Sequence, residues 1–289
     1  MKPFQAKPLR AAALLLAILL ASTLTGLPWK TQAQTQGTLT LSSTVFSGFS
    51  VIQITVSDPD ISDTTAPIAP PNVTANGVSV KMYQATDGTW FGYIRVWCWA
   101  DTVAANGAYD PGEPIIIDKN NNGQYDDGEL VSGVAPAPGT ALVGITPANP
   151  PVQDPPEAGT GETTWTGAFT DITTVDVNLG QQITIIYHDN NPAVQVSDVA
   201  VFDYTQATIS TDRDEYPPGA KAYITIEDQD LNQDPTQAES YTVDPINGQV
   251  LLHVDRTRAG TTTQDVYSNI QLVETGPNTG VFELSLIHI

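Results

Sequence analysis

The chain has 289 residues, with 32 Asp+Glu against 11 Lys+Arg and a formal net charge of −21. Such a surface repels nucleic acid and anionic lipid and attracts cations. One cysteine, Cys98, excludes an intrachain disulfide, so an exported form of this chain needs its core, a metal or assembly to hold it together.

The N-terminus comes first. Lys2, Lys7 and Arg10 precede the apolar run AAALLLAILLA (11–21), and TQA at 31–33 offers small residues before Gln34. This pattern predicts a secretory signal peptide over residues 1–33, with an uncleaved anchor as the alternative, and an extracellular, cell-surface location with no membrane span in the mature part. Cleavage removes four cations (Lys2, Lys7, Arg10, Lys30) and no acid, taking the net charge from −21 to −25. Bound divalent ions would screen so self-repelling a surface.

From residue 35 onward no segment has helical periodicity. Short alternating runs follow one another: VIQITVSD, VSVKMYQA, TWFGYIRVW, QQITIIYHD, KAYITIED and QVLLHVD, punctuated by the Gly, Pro, Asn and Asp of turns. They predict an all-β fold of the sandwich class. Two segments repeat: 38–63, ending in Asp58-Pro-Asp60-Ile61, and 207–234, holding Asp228-Gln-Asp230-Leu231. A later pair, 80–96 and 270–286, repeats as strand, turn and aromatic-bearing strand. The repeat predicts tandem β-sandwiches, one over 34–203 and a second over 204–289. The second has no counterpart of QQITIIYHD and reads as incomplete, and the terminal LSLIHI reads as adapter-derived sequence on a chain cut short, with a genuine final strand as the alternative.

Asn72-Val-Thr74 is an N-glycosylation triplet, and such triplets also occur by chance. Cys98, between Trp97 and Trp99, reads as a small buried hydrophobe, or else as one half of an intermolecular bridge. An insertion into the first sandwich spans about residues 100–165. It holds IDKNNNGQYDDGEL (117–130), which satisfies the twelve-residue calcium-loop pattern. Asp118, Asn120, Asn122, Gln124 (through its carbonyl), Asp126 and Glu129 take the ligand positions, with Gly123 at the sharp turn. Ile115–Ile117 read as strand, so the expectation is a lone loop on a β scaffold; the alternative is a polar surface loop. Asn106-Gly-Ala-Tyr-Asp-Pro-Gly-Glu113 repeats the second half of that loop, with Asp110 and Glu113 as candidate ligands, alone or sharing ions with its neighbour. Asp101 sits one residue off register there, and a glycine-rich turn on which Tyr109 packs is the alternative. The strand-end carboxylates Asp58, Asp60, Asp228 and Asp230 are weaker metal candidates, because like charges this close favour a shared cation but Asp is also a turn former. The proline-rich stretch 135–159 predicts extended, solvated backbone.

No nucleophile elbow, HExxH, CxxC or phosphate loop occurs, and His188, His253 and His288 lie far apart in sequence. His188-Asp189 reads as a surface pair. The sequence therefore predicts a non-enzyme. YPPGAKAYITIEDQDLNQDP (216–235), LVETGPNTGVFE (272–283) and MYQATDGTWFGYI (82–94) together resemble the surface-layer proteins of ammonia-oxidising archaea. The resemblance implies immunoglobulin-like domains, self-assembly of identical subunits into a porous, acidic, cation-binding lattice, and a longer native chain; it supplies no catalytic residues, and the NGxYDxGE pair departs from it. The reading is thus a calcium-stabilised structural subunit of an extracellular surface layer. The rivals are an adhesin or carbohydrate-binding module with Trp90, Trp97, Trp99 and Trp165 lining a face for cell-surface glycan, and an enzyme whose catalytic domain lies past residue 289.

Overall fold

The computed structural model describes residues 34–66, 68–156, 163–165, 167–217, 219–243, 252–258, 260–267 and 270–288. The expected signal peptide lies outside them. Among the described residues there is no α-helix, and none of their elements is a helix long and apolar enough to cross a membrane. The protein is all-β, and residues 35–289 form one compact unit.

Two sheets face each other across the main core. The first runs Thr38–Leu41, Ile52–Ser57, Trp90–Arg95, Tyr83–Ala85 and Val152–Gln153, with Thr173–Thr174 added in parallel to Trp90–Arg95. The second runs Val45–Phe46, Ala193–Phe202, Gln181–Asn190, Asn72–Ala75 and Val78–Val80. Alternation dictates their inner faces: Ile52, Ile54 and Val56 from one sheet meet Ile183, Ile185 and Tyr187 from the other, all in one buried cluster with Trp90 and Phe202. Gly92 permits a close approach in this core, since a Cβ there would lie 2.5 Å from Met82 Sδ and 2.8 Å from Val80 Cγ1.

The sequence repeat returns as a repeated topology. A third sheet runs Thr208–Thr211, Lys221–Glu227, Val281–His288, Ile270–Glu274 and Ser240–Val243. Its first four strands occupy the order of their repeat partners in the first sheet; only the fifth differs, coming before the hairpin in sequence here and after it there. Strands Leu252–Arg258 and Thr261–Tyr267 pair separately. Each repeat also turns through the same 3₁₀ corner, where the Asp58 and Asp228 carboxylates cap by accepting the amides of Asp60 (2.8 Å) and Asp230 (3.0 Å).

The structure differs from the sequence reading at four places. VSVKMYQA is not one strand: Val78–Val80 belongs to the second sheet and Tyr83–Ala85 to the first, the chain crossing sheets at Lys81 and Met82. The proline-rich stretch is only partly solvated, because Val152–Gln153 supplies an edge strand and Pro147, Pro155 and Pro156 are buried. His188 and Asp189 point to opposite faces, as neighbours in a strand must; Asp189 is buried and accepts the Gly37 and Asn191 amides, while His188 Nδ1 lies 3.3 Å from Gln195 Nε2. The tryptophans form no exposed face: Trp90 and Trp99 are buried, and Trp97 and Trp165 pack against the core.

Short polar contacts join the two repeat regions, before and after residue 204, within this one unit. Val51 donates to the Gln233 carbonyl (2.9 Å), Ala148 to the Asp234 carboxylate (2.9 Å), and Asn278 Nδ2 to the Ser42 carbonyl (2.9 Å).

Candidate functional site

The insertion builds a small sheet of its own, Leu130–Ser132, Ile115–Ile117 and Cys98–Trp99, over a core of Cys98, Ala100, Ile116 and Tyr125. Cys98 is fully buried, its thiol donating to the Ile116 carbonyl (3.3 Å) and pushed up to about 11, chiefly by burial. A thiol so placed is out of reach of a second chain. The two acidic loops connect the three strands in sequence and so lie at opposite ends of Ile115–Ile117.

The loop after Ile117 folds inward on its own oxygens. Asp118, 1 % exposed, accepts the Gly123 amide on one oxygen (2.8 Å) and the Asn122 amide on the other (3.2 Å). Asn120 and Asn122 accept the amides of Asn122 (3.1 Å) and Gln124 (2.8 Å). Glu129 closes the loop, accepting the Lys119 and Asp126 amides at 3.0 Å each. The turn needs left-handed backbone at Asn121 (φ 56°) and Gly123 (φ 72°), which an Asn and a Gly supply at least cost.

The loop after Trp99 repeats four of these six bonds. Asp101 accepts the Gly107 amide (2.6 Å), Asn106 accepts that of Ala108 (2.8 Å), and Glu113 accepts those of Val103 and Asp110 (3.0 Å each). Ala105 (φ 50°) and Gly107 (φ 78°) take the places of Asn121 and Gly123. The residue that puts Asp101 off register is absorbed within the loop, and Asp101 does what Asp118 does. Sequence comparison position by position missed this; the signal was the shared NGxYDxGE ending, which anchors both loops from the C-terminal side. No hydrogen bond joins the two loops among the described residues. Tyr109 lies over Phe49 and Trp99, with ring centroids 5.0 and 6.1 Å away.

The donor set is one of hard oxygens, which suits calcium. The Gln124 carbonyl receives no hydrogen bond among the described residues, and Asp101 Oδ1 is buried with no partner. Among those residues no three His, Cys, Asp or Glu side chains converge as an ion-holding group. Asp126 instead accepts the side-chain amides of Asn120 and Asn122 (2.7 Å each), and in the other loop Asp110 accepts that of Asn106 (3.0 Å). Neutral amides thus separate carboxylates that would otherwise repel.

The other candidates have protein donors. Asp58 is 1 % exposed and accepts the Tyr187 hydroxyl at 2.5 Å, and Asp60 accepts the Thr35 amide at 3.4 Å. Asp228 caps its 3₁₀ corner. Asp230 accepts the Ser47 hydroxyl and the Thr205 amide, each at 3.1 Å, and so joins the two repeat regions. Asn72 is exposed at the start of its strand. No protein-family model matches the chain, and no curated protein is similar to it.

Proposed function

We propose that the protein is a calcium-stabilised structural subunit of an extracellular surface layer, assembling with copies of itself. The observation that carries the calcium reading is the pair of loops that share most of one hydrogen-bond scheme, Asp118 to Glu129 and Asp101 to Glu113, each wrapping hard oxygens around a glycine turn. Bound calcium would neutralise carboxylates that the loop now separates with asparagine amides, and would fix an insertion whose own core is small. Asp118, Asn120, Asn122, the Gln124 carbonyl, Asp126 and Glu129 would hold the ion in one loop, and Asp101, Asp110 and Glu113 would supply carboxylates in the other. The net charge of −21 suits a cation-bridged assembly. The lattice itself rests on the resemblance of the repeated strand segments. With Trp90 and Trp99 buried and Trp97 and Trp165 packed against the core, these four offer little of the aromatic face that an adhesin of stacking type would need.

The test is calcium titration of the protein, followed by thermal melting and electron microscopy. Calcium is expected to raise the melting temperature and produce ordered sheets. Asp118→Ala with Glu129→Ala is expected to remove the tightest site, and an unchanged calcium stoichiometry in that double variant would sink the loop assignment.

A further inference from the structure

Beside the loop after Ile117 lies a cavity of about 510 Å³, and a buried cation is among the residues lining it. Arg95 ends the strand Trp90–Arg95 and is 9 % exposed. Its Nε donates to Thr174 Oγ1 (3.3 Å), but among the described residues neither terminal nitrogen donates to a protein group and no carboxylate lies within 4.0 Å. Burial pushes this guanidinium down from its usual value, and the more distant charges of Cys98 and Asp118 only partly oppose that. Gly144 makes the room it occupies: a Cβ there would lie 2.3 Å from Nη1. An uncompensated buried guanidinium is costly, and a chain with 11 cations has placed one in the lining of a cavity. The second cation lining this cavity, Lys81, is already engaged by Asp171 (2.8 Å), so Arg95 is the free one.

We propose that this cavity binds a small polyhydroxylated carboxylate, of the class of a hexuronate, with Arg95 taking the carboxylate. The guanidinium fork matches the two oxygens of a planar, singly charged carboxylate. Asp118 and Asp171 also line the cavity and disfavour a doubly charged phosphate. Ser79, Thr146, Thr170 and the Asn121 and Asn122 amides line it too, and all are exposed, offering donors and acceptors for ring hydroxyls. The volume falls in the range of small-ligand sites. The site needs no ion, so it stands apart from the calcium reading, although Asp118 and Asn122 belong to both.

The experiment is calorimetric titration of the full chain, in chelator, with galacturonate, glucose, inorganic phosphate and a short oligogalacturonide. Saturable galacturonate binding is expected, with glucose and phosphate each at least roughly tenfold weaker, the size expected for a lost charge-assisted bond. A tighter oligogalacturonide assigns the site to a polysaccharide, and equal affinity per unit assigns it to the free sugar acid; both support the carboxylate site. Arg95→Met is expected to lower galacturonate affinity by roughly 10- to 100-fold. Because Arg95 is buried, Thr146→Trp at the exposed rim gives a second test that spares the core, and is expected to block binding by occlusion. Glucose or phosphate binding as well as galacturonate, no galacturonate binding at all, or full binding in folded Thr146→Trp protein would overturn the proposal.

Discussion

Glu239→Gln should stabilise the protein increasingly as pH rises. Glu274 is 4 % exposed and accepts the Thr279 amide (2.7 Å), the Gly280 amide (2.8 Å) and the Glu239 amide (3.1 Å). Burial pushes it up, but the Glu239 side chain and then these amide bonds outweigh that and hold it below its ordinary value. Glu239 accepts the Gln233 amide (3.0 Å) and the Asp234 amide on one oxygen, while its other oxygen is buried without a donor. Burial, with the Glu274 carboxylate beside it, pushes Glu239 up from 4.5 to about 8. A proton on the orphan oxygen, donated toward Glu274, satisfies both. The folded state therefore binds this proton more tightly than the unfolded chain. The associated stability is complete below pH 4.5 and is lost as pH rises through about 8. Each pH unit in that window is worth about 1.4 kcal/mol, a ceiling near ~5 kcal/mol, and solvent screening of a partly exposed group reduces this to roughly 1.5 kcal/mol. Glutamine keeps an acceptor for the two amides and a permanent donor toward Glu274. Urea unfolding of both proteins at about pH 5 and about pH 9 measures the effect, and other titrating groups cancel in the difference. The variant should match the parent at the lower pH and exceed it by about 1.5 kcal/mol at the higher. An equal difference at both pH values would refute the shared proton.

Three further outcomes follow from the geometry. Gly92→Ala should destabilise by about 1–3 kcal/mol in the same unfolding assay, because its Cβ would meet Met82 Sδ at 2.5 Å inside the packed core. Tyr187→Phe should cost about 1.5–3 kcal/mol by leaving one oxygen of the buried Asp58 carboxylate without its hydroxyl donor. Cys98 should resist a disulfide reagent in native protein at about pH 8 and react at once in denaturant, since a buried thiol pushed up to about 11 carries little thiolate.

Strand alternation was legible because burial follows it: QQITIIYHD buries alternate residues from Ile183 to Asp189, and KAYITIED buries Ala222 and Ile224. Pairing was not legible. VSVKMYQA alternates as far as Met82 and slips phase at Met82-Tyr83, but alternation does not record which sheet each half joins. Ala193–Phe202, ten residues paired along its whole length with Gln181–Asn190, went unread because its first half is largely exposed and its pattern weak. Val152–Gln153 is too short for any period. Arg95 did leave a trace, as the single charge inside the otherwise apolar TWFGYIRVW, but the cavity it faces is assembled from four distant segments and no local pattern contains it.

The carboxylates sort themselves by what answers them. With 32 acids to 11 bases, ion pairs cannot serve most of them, and this chain uses amides and hydroxyls instead. At the repeated 3₁₀ corners protein donors answer the carboxylates: Asp58 has a tyrosine, and Asp230 has Thr205 from its own repeat and Ser47 from the other. A cation there would have to displace good donors inside a packed junction. In the insertion loops the solution is partial. Asn120 and Asn122 turn their amide nitrogens to Asp126, the Gln124 carbonyl is unanswered, and Asp101 Oδ1 is buried alone. Rotating the two asparagine amides would bring further oxygens to the same point, at the cost of their bonds to the Asn122 and Gln124 amides and to Asp126, which a bound cation would have to offset. The same composition that makes every aspartate look like a ligand in sequence therefore separates, in three dimensions, into corners that hold the protein together and loops that still have oxygen to offer an ion.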